Sequence, residues 1–398
     1  MLAQMILSFP AVGLLFAHLA ADPFDFTDSL PVVPPETGAW MGPLLLVPLA
    51  LLCGLLILLL GWWSRRQHLA LPELGPLADS TAEDHVVVIP ARNEAPDVAR
   101  AVASFPGSLV CVVDDDSTDR TVELAAAAGA HVLPAGALPP GWLGKNNACW
   151  SGAQGTQSKW ILFADADTVY DPRFLPSLLE YAQANSLQAV SVFPKPVGGT
   201  LLARLLLPCA SGLSFTGASA AGINSSRSRQ SLQNNQCLLF LRSGYEFIGG
   251  HRRVCGSVTP DLALAGLLHI HRLRCRTLRS ESLASGRRYD APAGLWSGLQ
   301  RFGCRFLAVT PGVRLRLALG WSIQAAWLPV FVALLYFGYY WSAALLYAGV
   351  VLAWLPWYGA TALVLFAPWA IYGVLAGAKL GLLRHFFGLP IAWKGRRV

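Results

Sequence analysis

A stretch of 62 consecutive residues near the C-terminus, residues 317–378, contains no Asp, Glu, Lys, Arg or His. A helix that crosses a membrane needs about 20 predominantly apolar residues, so this stretch is long enough for more than one crossing. A second uncharged segment, residues 41–63, lies near the N-terminus. Charged residues make up 13% of the whole chain, against about 25% in an ordinary soluble protein. We therefore expect a membrane protein with an apolar region at each end.

Basic residues at the ends of the two apolar segments predict the orientation of the chain. They are Arg65, Arg66, Arg314, Arg316, Lys379, Arg384, Lys394, Arg396 and Arg397. Basic residues mark the cytoplasmic ends of spans, so we expect an integral protein of the inner membrane whose middle part is cytoplasmic. Cytoplasmic flanks on both sides of residues 317–378 require an even number of crossings. Two spans with an interfacial helix meet that requirement, although the length also allows three spans.

The expected organisation has three parts. Residues 1–66 form an N-terminal membrane region with a span at 41–63, and residues 2–21 form either a first span or a signal peptide, because they are apolar but begin without Lys or Arg. Residues 84–311 form a cytoplasmic domain. Residues 317–398 form a C-terminal membrane region with a short basic tail. The eight cysteines have no metal-ligand spacing, and no basic run or motif indicates a nucleic acid partner.

In residues 84–311, short apolar runs alternate with helical stretches, as in SLVCVVDDDSTDRTVELAAAAGA and KWILFADADTVYDPRFLPSLLEYAQA. Strands that alternate with helices predict an α/β domain with a parallel sheet covered on both faces. Ligands of such sheets bind at the carboxyl ends of the strands. The polar segments PARNE, DDDSTD and DADT each follow a strand and are the predicted site.

The segment DDDSTD crowds three carboxylates together, from Asp114 to Asp116. A helix N-cap formed by Asp116 or Ser117 explains part of it. An N-cap does not require three aspartates, however, and a carboxylate that accepts hydrogen bonds from a nucleobase and ribose explains the remainder.

Asp165 and Asp167 of DADT are two residues apart, so their side chains point the same way. Such oxygen ligands suit Mg²⁺ or Mn²⁺ shared with substrate phosphates. The same run also fits the nucleophile segment of haloacid-dehalogenase-type phosphatases, but the later acidic residues include no adjacent pair to complete that metal site. Lys145, between the two acidic segments, can neutralise a diphosphate.

Four successive motifs resemble the family-2 glycosyltransferases of the GT-A fold. They are V-x-x-P-x-x-N-E from Val87 to Glu94, V-D-D-x-S-x-D from Val113 to Asp119, GK at Lys145, and DAD, across about 80 residues. The segment YEFIGGHRRVCGSVTPDLALA is similar to the acceptor-side segment of that family, which ends in T-E-D-x-x-L. The chain is most similar to membrane-anchored members that glycosylate carotenoids or act beside hopanoid synthesis. The resemblance implies an α/β GT-A domain flanked by transmembrane helices.

The resemblance also implies a role for each matching residue. The chain would transfer a sugar, with inversion, from a nucleotide diphosphate sugar, with a UDP-sugar as the first expectation. The residues implied in donor binding are Pro90, Arg92, Glu94, Asp115, Lys145 and Asp165, with Asp167 holding the Mg²⁺ or Mn²⁺ and Asp261 acting as general base. His251 either faces the donor sugar or is a structural histidine.

Asp261 has a second interpretation, because Thr259 as N-cap, Pro260 at the first helical position and an acid in the first turn form a good helix start. Pro260 stands where the family has Glu, so Asp261 is the one member of the family's acidic pair that is present here. The segment WSGLQRFGCRF departs from the Q-x-x-R-W motif of processive members, so we expect a non-processive enzyme. Trp296 and Arg301 or Arg305 are candidates for the acceptor site.

A membrane chain predicts a lipid acceptor, and the resemblance favours a polyisoprenoid such as a carotenoid over a hopanoid, a glycerolipid or a polyprenyl phosphate. The apolar residues 201–222 form either a core helix or an interfacial helix that guides this lipid. A non-catalytic, membrane-anchored protein that binds nucleotide sugars remains the alternative from another functional class.

Overall fold

The computed structural model describes residues 41–76, 83–225, 236–289, 291–390, 392–393 and 396–397. The predicted segment 2–21 lies outside these residues. Helix α1 spans Met41–Leu69. The chain divides into two compact units, Met1–Pro48 and Leu49–Val398. The second unit contains both the sheet and the C-terminal helices.

An eight-stranded sheet organises the middle of the chain, in the order β3-β2-β1-β4-β7-β6-β8-β5. Its strands are β1 His85–Ala91, β2 Leu109–Asp114, β3 His131–Pro134, β4 Trp160–Ala164, β5 Thr168–Tyr170, β6 Ala189–Gly198, β7 Cys237–Leu241 and β8 Cys275–Arg288. Strands β3, β2, β1 and β4 are parallel, as predicted. Strand β7 is antiparallel to both neighbours, so the prediction of a wholly parallel sheet is wrong for the second half.

The reason for this reversal lies in the connections. Parallel neighbours require a crossover, usually a helix that packs on the sheet. The helices between the strands of the first half supply this: α2 Val98–Ala103, α3 Thr121–Ala127 and α4 Gly144–Gln154. Helix α5 Phe174–Ala184 lies between β5 and β6. After β6 the chain instead enters α6 Leu201–Ser214 and α7 Ala220–Ile223, and α6 packs mainly on C-terminal helices rather than on the sheet.

The sheet is apolar on both faces, because alternate residues of its strands point to opposite sides. Val87, Ile89 and Leu162 belong to the core on one face, while Val88 and Phe163 belong to the core on the other. Three short helices, α8 Arg242–Phe247, α9 Gly250–Arg253 and α10 Pro260–Ile270, follow β7. They bring the predicted acceptor-side segment to the sheet.

The C-terminal part is helical. Its helices are α11 Pro292–Ala308, α12 Pro311–Ala325, α13 Trp327–Tyr336, α14 Tyr340–Tyr358 and α15 Ala367–Phe386. Among the described residues, four segments are long and apolar enough to cross a membrane: Leu45–Leu69, Pro311–Tyr336, Tyr340–Tyr358 and Ala362–Phe386. Three of these candidate spans are C-terminal. They qualify by length and composition, so the number of crossings stays a prediction.

Helix α11 is held against α15 by close backbone contact. A Cβ atom added at Gly381 would lie 1.9 Å from the carbonyl oxygen of Gln300, and one at Gly303 would lie 2.0 Å from that of Ala378. Glycines at such positions allow two helix backbones to approach closely, as in membrane helix pairs. Helix α11, which precedes the candidate spans, is therefore packed directly on one of them.

Helix α6, in the apolar residues 201–222, is mostly buried and has an exposed N-terminal end. Ala203, Cys209 and Leu213 of α6 are fully buried, as in a core helix. At its N-terminal end, Leu201 is 67% and Leu202 44% exposed, as in a helix that lies at an interface.

Candidate functional site

The three polar segments predicted from the sequence meet at one edge of the sheet. Strands β1, β2 and β4 are parallel neighbours, with Ala91 at the end of β1 opposite Asp114 at the end of β2. The segments that begin at Arg92, Asp115 and Asp165 leave the sheet at this edge. In an open α/β sheet the carboxyl edge is where ligands bind.

The first two of these loops are tied together by hydrogen bonds. The Asn93 side-chain oxygen accepts from the Thr118 amide at 2.8 Å, and the Ala95 amide donates to Asp119 at 3.2 Å. Burial raises the pKa of Asp119, but bonds from the Thr121 hydroxyl and from the Ala95 and Thr121 amides outweigh it, so the net pKa is lowered. Asp119 therefore acts as an ionised link between the loops.

The helix N-cap predicted for Asp116 or Ser117 is wrong. Helix α3 begins at Thr121, and the residue before it, Arg120, makes no side-chain cap bond. The Thr121 amide is bonded instead by the Asp119 carboxylate, at 3.0 Å. Asp114 accepts from the Ser117 amide at 3.2 Å and so closes the turn itself.

Arg92 compensates the charge of the crowded carboxylates. Its guanidinium donates to the carbonyl oxygens of Asp115 and Asp116 and lies 3.6 Å from the Asp116 carboxylate. Asp115 is 6% exposed, whereas the side chain of Asp116 is 83% exposed. The two neighbouring aspartates thus have different surroundings, and Asp115 is the one held inside the loop.

Lys145 forms an ion pair with Asp165, which joins the GK motif to the DAD motif. Lys145 is in the first turn of α4, and Asp165 directly follows β4. Burial lowers the pKa of Lys145, but the charges of Asp165 and Asp167 contribute to a larger opposite effect, and the net pKa is raised. The ammonium is therefore charged at neutral pH and lies beside two carboxylates.

Asp261 is buried, at 2% exposure, in the first turn of α10. Its Oδ2 accepts from Nη2 of Arg305 on α11, at 3.0 Å. Pro260 occupies the start of the helix as predicted, but the side chain of Thr259 makes no cap bond. The helix-start interpretation thus explains Pro260, while the contact that Asp261 makes is an ion pair with another helix.

A family model matches part of this chain. Residues 86–215 match the model of glycosyl transferase family 2. The chain carries a family-2 glycosyltransferase domain. A 4,4'-diaponeurosporenoate glycosyltransferase of Staphylococcus haemolyticus is 27% identical over 224 residues, which are 53% of this chain and 58% of that protein. A protein of the same name from Staphylococcus aureus is 30% identical over 138 residues, 33% of this chain and 34% of that one.

The chain thus matches between about one third and just over half of the length of these two relatives. Among solved structures, the mannosyltransferase PcManGT from Pyrobaculum calidifontis in complex with GDP-Man and Mn²⁺ is 15% identical. The alignment covers 86% of this chain and 99% of that one, with a TM-score of 0.46. The family match, taken with the mixed sheet and its parallel first half, confirms the predicted α/β GT-A fold class.

The loop that leads to Asp261 is anchored by Asn146, which sequence reasoning missed. Its side-chain nitrogen lies within hydrogen-bond distance of three carbonyl oxygens, those of Val254, Cys255 and Ser257, at 3.1, 2.8 and 3.0 Å. Asn146 directly follows Lys145, and the loop that it holds leads to Asp261. This contact therefore fixes the two sides of the site relative to each other.

His251 is a buried residue that interacts with Tyr245 in the glycosyltransferase domain. Its exposure is 1%, its Nδ1 lies 2.9 Å from the Tyr245 hydroxyl, and its ring packs on Phe163 of β4. Burial, and then the charge of Lys145, lower the pKa of His251 to about 3. The imidazole is therefore neutral at physiological pH and lies near Lys145.

Two features of the site were missed from the sequence, for different reasons. The pairing of Asp261 with Arg305 joins residues 44 positions apart, and nothing in the local sequence of either residue predicts it. The role of Asn146 had a signal, since an Asn beside the GK motif is polar and lies in a mainly buried helix.

Proposed function

We propose that this chain transfers a single sugar, with inversion, from a nucleotide diphosphate sugar to a lipid acceptor in the membrane. The observation that carries the proposal is the arrangement around α4. Lys145 pairs with the DAD motif, and the next residue, Asn146, holds the loop that leads to Asp261. One helix thus connects a phosphate-binding group with a candidate base.

The nucleotide occupies the loops after β1 and β2 in this proposal. Pro90, Arg92 and Glu94 line its pocket, and Asp115 accepts hydrogen bonds from the base or ribose. Arg92 supports this role, because it holds the backbone of Asp115 and Asp116 and so fixes the loop before a ligand binds. A UDP-sugar is the donor that we propose to test first.

A divalent cation fits the residues after β4. Among the described residues, no group of three or more His, Cys, Asp or Glu side chains could hold a metal. Mg²⁺, however, is usually bound by one or two carboxylates together with substrate phosphates. Asp167, with Asp165 beside it, supplies these, so we propose that Mg²⁺ or Mn²⁺ binds here only with the donor. The cation would neutralise the charge that develops on the leaving diphosphate.

The protein's own residues then perform the remaining steps. Asp165 contacts the sugar nucleotide, His251 lies on the sugar side, and the Lys145 ammonium lies against the phosphates. The acceptor oxygen attacks the anomeric carbon, and the bond from that carbon to the diphosphate breaks, with the electron pair leaving on the nucleoside diphosphate. Asp261 takes the proton of an acceptor hydroxyl, a role typically worth 10²–10⁴-fold in rate. A single displacement inverts the anomeric configuration.

The acceptor is proposed to be a polyisoprenoid such as a carotenoid. The names of the relatives, which are 4,4'-diaponeurosporenoate glycosyltransferases, support this class. Four candidate spans support an acceptor that lives in the bilayer. The basic residues beside the spans favour a cytoplasmic glycosyltransferase domain at the inner membrane.

The test measures release of nucleotide from a panel of UDP- and GDP-sugars with Mn²⁺ or Mg²⁺ and extracted membrane lipids. We compare the full chain with Asp261→Asn, using Ser297→Ala as control, because Ser297 is half-buried on α11 and, among the described residues, bonds only the Ala293 carbonyl of its own helix. Lipid-dependent release that Asp261→Asn abolishes while donor binding persists supports the proposal. Donor binding without release, for every lipid and in both proteins, would instead favour a non-catalytic binding protein.

A further inference from the structure

A narrow apolar groove, here called the α11–α12 groove, opens beside Asp261. Its walls are formed by α6, α10, α11 and α12, and its lining residues include Leu262, Phe302, Phe306, Val313, Leu317 and Trp321. Arg305, which donates to Asp261, is part of the same lining. The groove therefore begins at the ion pair that contains the candidate base.

The groove offers almost no polar surface to a ligand. Apart from Arg305 and Trp321, Ser214 is the only one of its described lining residues with a polar side chain. The Ser214 hydroxyl already donates to the Ala210 carbonyl at 3.0 Å. The indole N–H of Trp321 donates to the Leu213 carbonyl at 3.2 Å, so its ring contributes apolar surface. Only an apolar ligand, or the apolar part of one, suits such a lining.

One wall of the groove belongs to a candidate membrane span. Val313, Leu317 and Trp321 are on α12, the first part of the segment Pro311–Tyr336. The groove is therefore next to a helix that is long and apolar enough to cross a membrane. The polar end of a chain that lies in the groove meets Arg305 and Asp261.

We infer that the α11–α12 groove holds the hydrocarbon chain of the acceptor, with the oxygen that receives the sugar placed at Arg305 and Asp261. This inference rests on the proposed function and names the part of the site that binds the acceptor chain. The groove is narrow, about 20 Å³, and the Trp321 ring packs on Phe302 and Phe306, with both centroid distances at 5.5 Å. A chain enters by displacing these rings, which are half-buried.

The experiment is photo-crosslinking of the full chain in detergent with hexadecanol that carries a diazirine at mid-chain. In the wild type, adducts are expected on peptides that contain Phe302 to Trp321. Val313→Trp fills the groove with a larger side chain. If it excludes two methylenes of the probe from the groove, the affinity for the probe and the yield of adducts should fall about tenfold. The matched control is Leu319→Trp on the same helix, whose side chain is 55% exposed, and it should leave the adducts unchanged.

Binding of UDP with Mn²⁺ reports whether each variant is folded. Trp321→Ala, which opens the groove, gives a second test that does not depend on Val313→Trp folding, and it should increase the adducts. Equal labelling in the wild type, Val313→Trp and Trp321→Ala would overturn the inference and leave the groove as a packing core. Groove adducts in a protein that releases no nucleotide would instead contradict the proposed function alone.

Discussion

Nη2 of Arg305 lies 3.0 Å from Oδ2 of Asp261, although the two residues are 44 positions apart and on different helices. The side chain of Asp261 is 3% exposed and that of Arg305 is 29% exposed. The candidate base is therefore held from α11, and its access to an acceptor depends on where α11 places the guanidinium.

Replacing Arg305 should show whether this residue positions Asp261 for catalysis or only stabilises the folded protein. Arg305→Ala leaves a buried carboxylate without its cation, which typically costs about 3–5 kcal/mol in the free energy of unfolding. We expect kcat to fall by a large part of the roughly 10²–10⁴-fold that a base contributes, with the donor Kd unchanged. Arg305→Lys keeps the charge and should restore part of kcat. A kcat that stays at the wild-type value in Arg305→Ala would make the pair purely structural.

Asp167 should control the metal dependence of the reaction. Asp167→Asn removes one carboxylate from a site that has at most two, so the concentration of Mn²⁺ that gives half-maximal rate should rise about tenfold or more, as for other losses of a charged metal contact. Asp171→Asn is the matched control, because Asp171 is close in sequence but pairs with Arg173. Titration of nucleotide release with Mn²⁺ measures both, and equal curves for the two variants would contradict the assignment.

Asn146 should matter for stability and for catalysis together. Asn146→Ala removes the side-chain donor that the carbonyls of Val254, Cys255 and Ser257 share. The Val254 and Cys255 carbonyls keep bonds from the Ser257 and Leu143 amides, so the cost is that of the lost hydrogen bonds, about 0.5–1.5 kcal/mol for each. We expect a lower unfolding temperature and, in the fraction that remains folded, a lower kcat, because the loop before Asp261 is released. Asn185→Ala, which removes a single local bond to Tyr181, provides the comparison. If both variants lose kcat equally, Asn146 has no particular role in the site.

His251 should make the domain sensitive to mild acid. The pKa of His251 is lowered to about 3, while an unfolded imidazole titrates near 6.5. Between these values only the unfolded state binds the proton, so the free energy of unfolding falls as pH is lowered from about 6.5 toward 3, by at most about 1.4 kcal/mol per pH unit.

The measurement is thermal unfolding at pH 7.5 and pH 5 for the wild type, His251→Asn and His131→Asn. Asn at position 251 can still bond the Tyr245 hydroxyl but does not titrate, so its loss of stability at pH 5 should be smaller. His131 is exposed on β3 and should behave like the wild type. An unchanged loss in His251→Asn would assign the acid sensitivity to other groups.

The contact between α11 and α15 should tolerate no side chain at Gly381. A Cβ there would lie 1.9 Å from the Gln300 carbonyl oxygen, whereas one at Gly373 on the same helix would meet only Leu206 methyl groups, the nearer at 3.1 Å. Gly381→Ala should therefore lower the free energy of unfolding by about 1–3 kcal/mol, as overpacking does, and lower kcat by shifting α11. Gly373→Ala should change both much less. Similar effects from the two substitutions would show that α15 does not position α11.

The sequence was sufficient to predict the first half of the sheet and its loops. PARNE, DDDSTD and DADT follow buried strands, and parallel strands bring their carboxyl ends to one edge, so the meeting of these loops follows from the pattern. The orientation of β7 was not predictable in this way, because it depends on α6 leaving the sheet to pack on helices much later in the chain.

Side-chain pairings across the site were harder to predict than the loops. A carboxylate in a first helical turn predicts a favourable helix start, and nothing local distinguishes that from a buried ion pair with a later helix. The number of C-terminal candidate spans was also hard to predict. An uncharged stretch of 62 residues shows how much apolar chain is present but not where it turns. Those turns lie at Tyr339, between α13 and α14, and just before the short 3₁₀ helix Ala362–Phe366 that leads into α15.

The glycine contact of α11 with α15 also determines where such proteins can be truncated or joined to make hybrids. Helix α11 carries Arg305 to Asp261 on one side and lies backbone to backbone with α15 on the other. A chain shortened to end at residue 310 would keep the arginine but lose the surface that orients its helix. Hybrids that exchange the C-terminal helices between related proteins should therefore be joined before Pro292, so that α11 and α15 always come from the same parent.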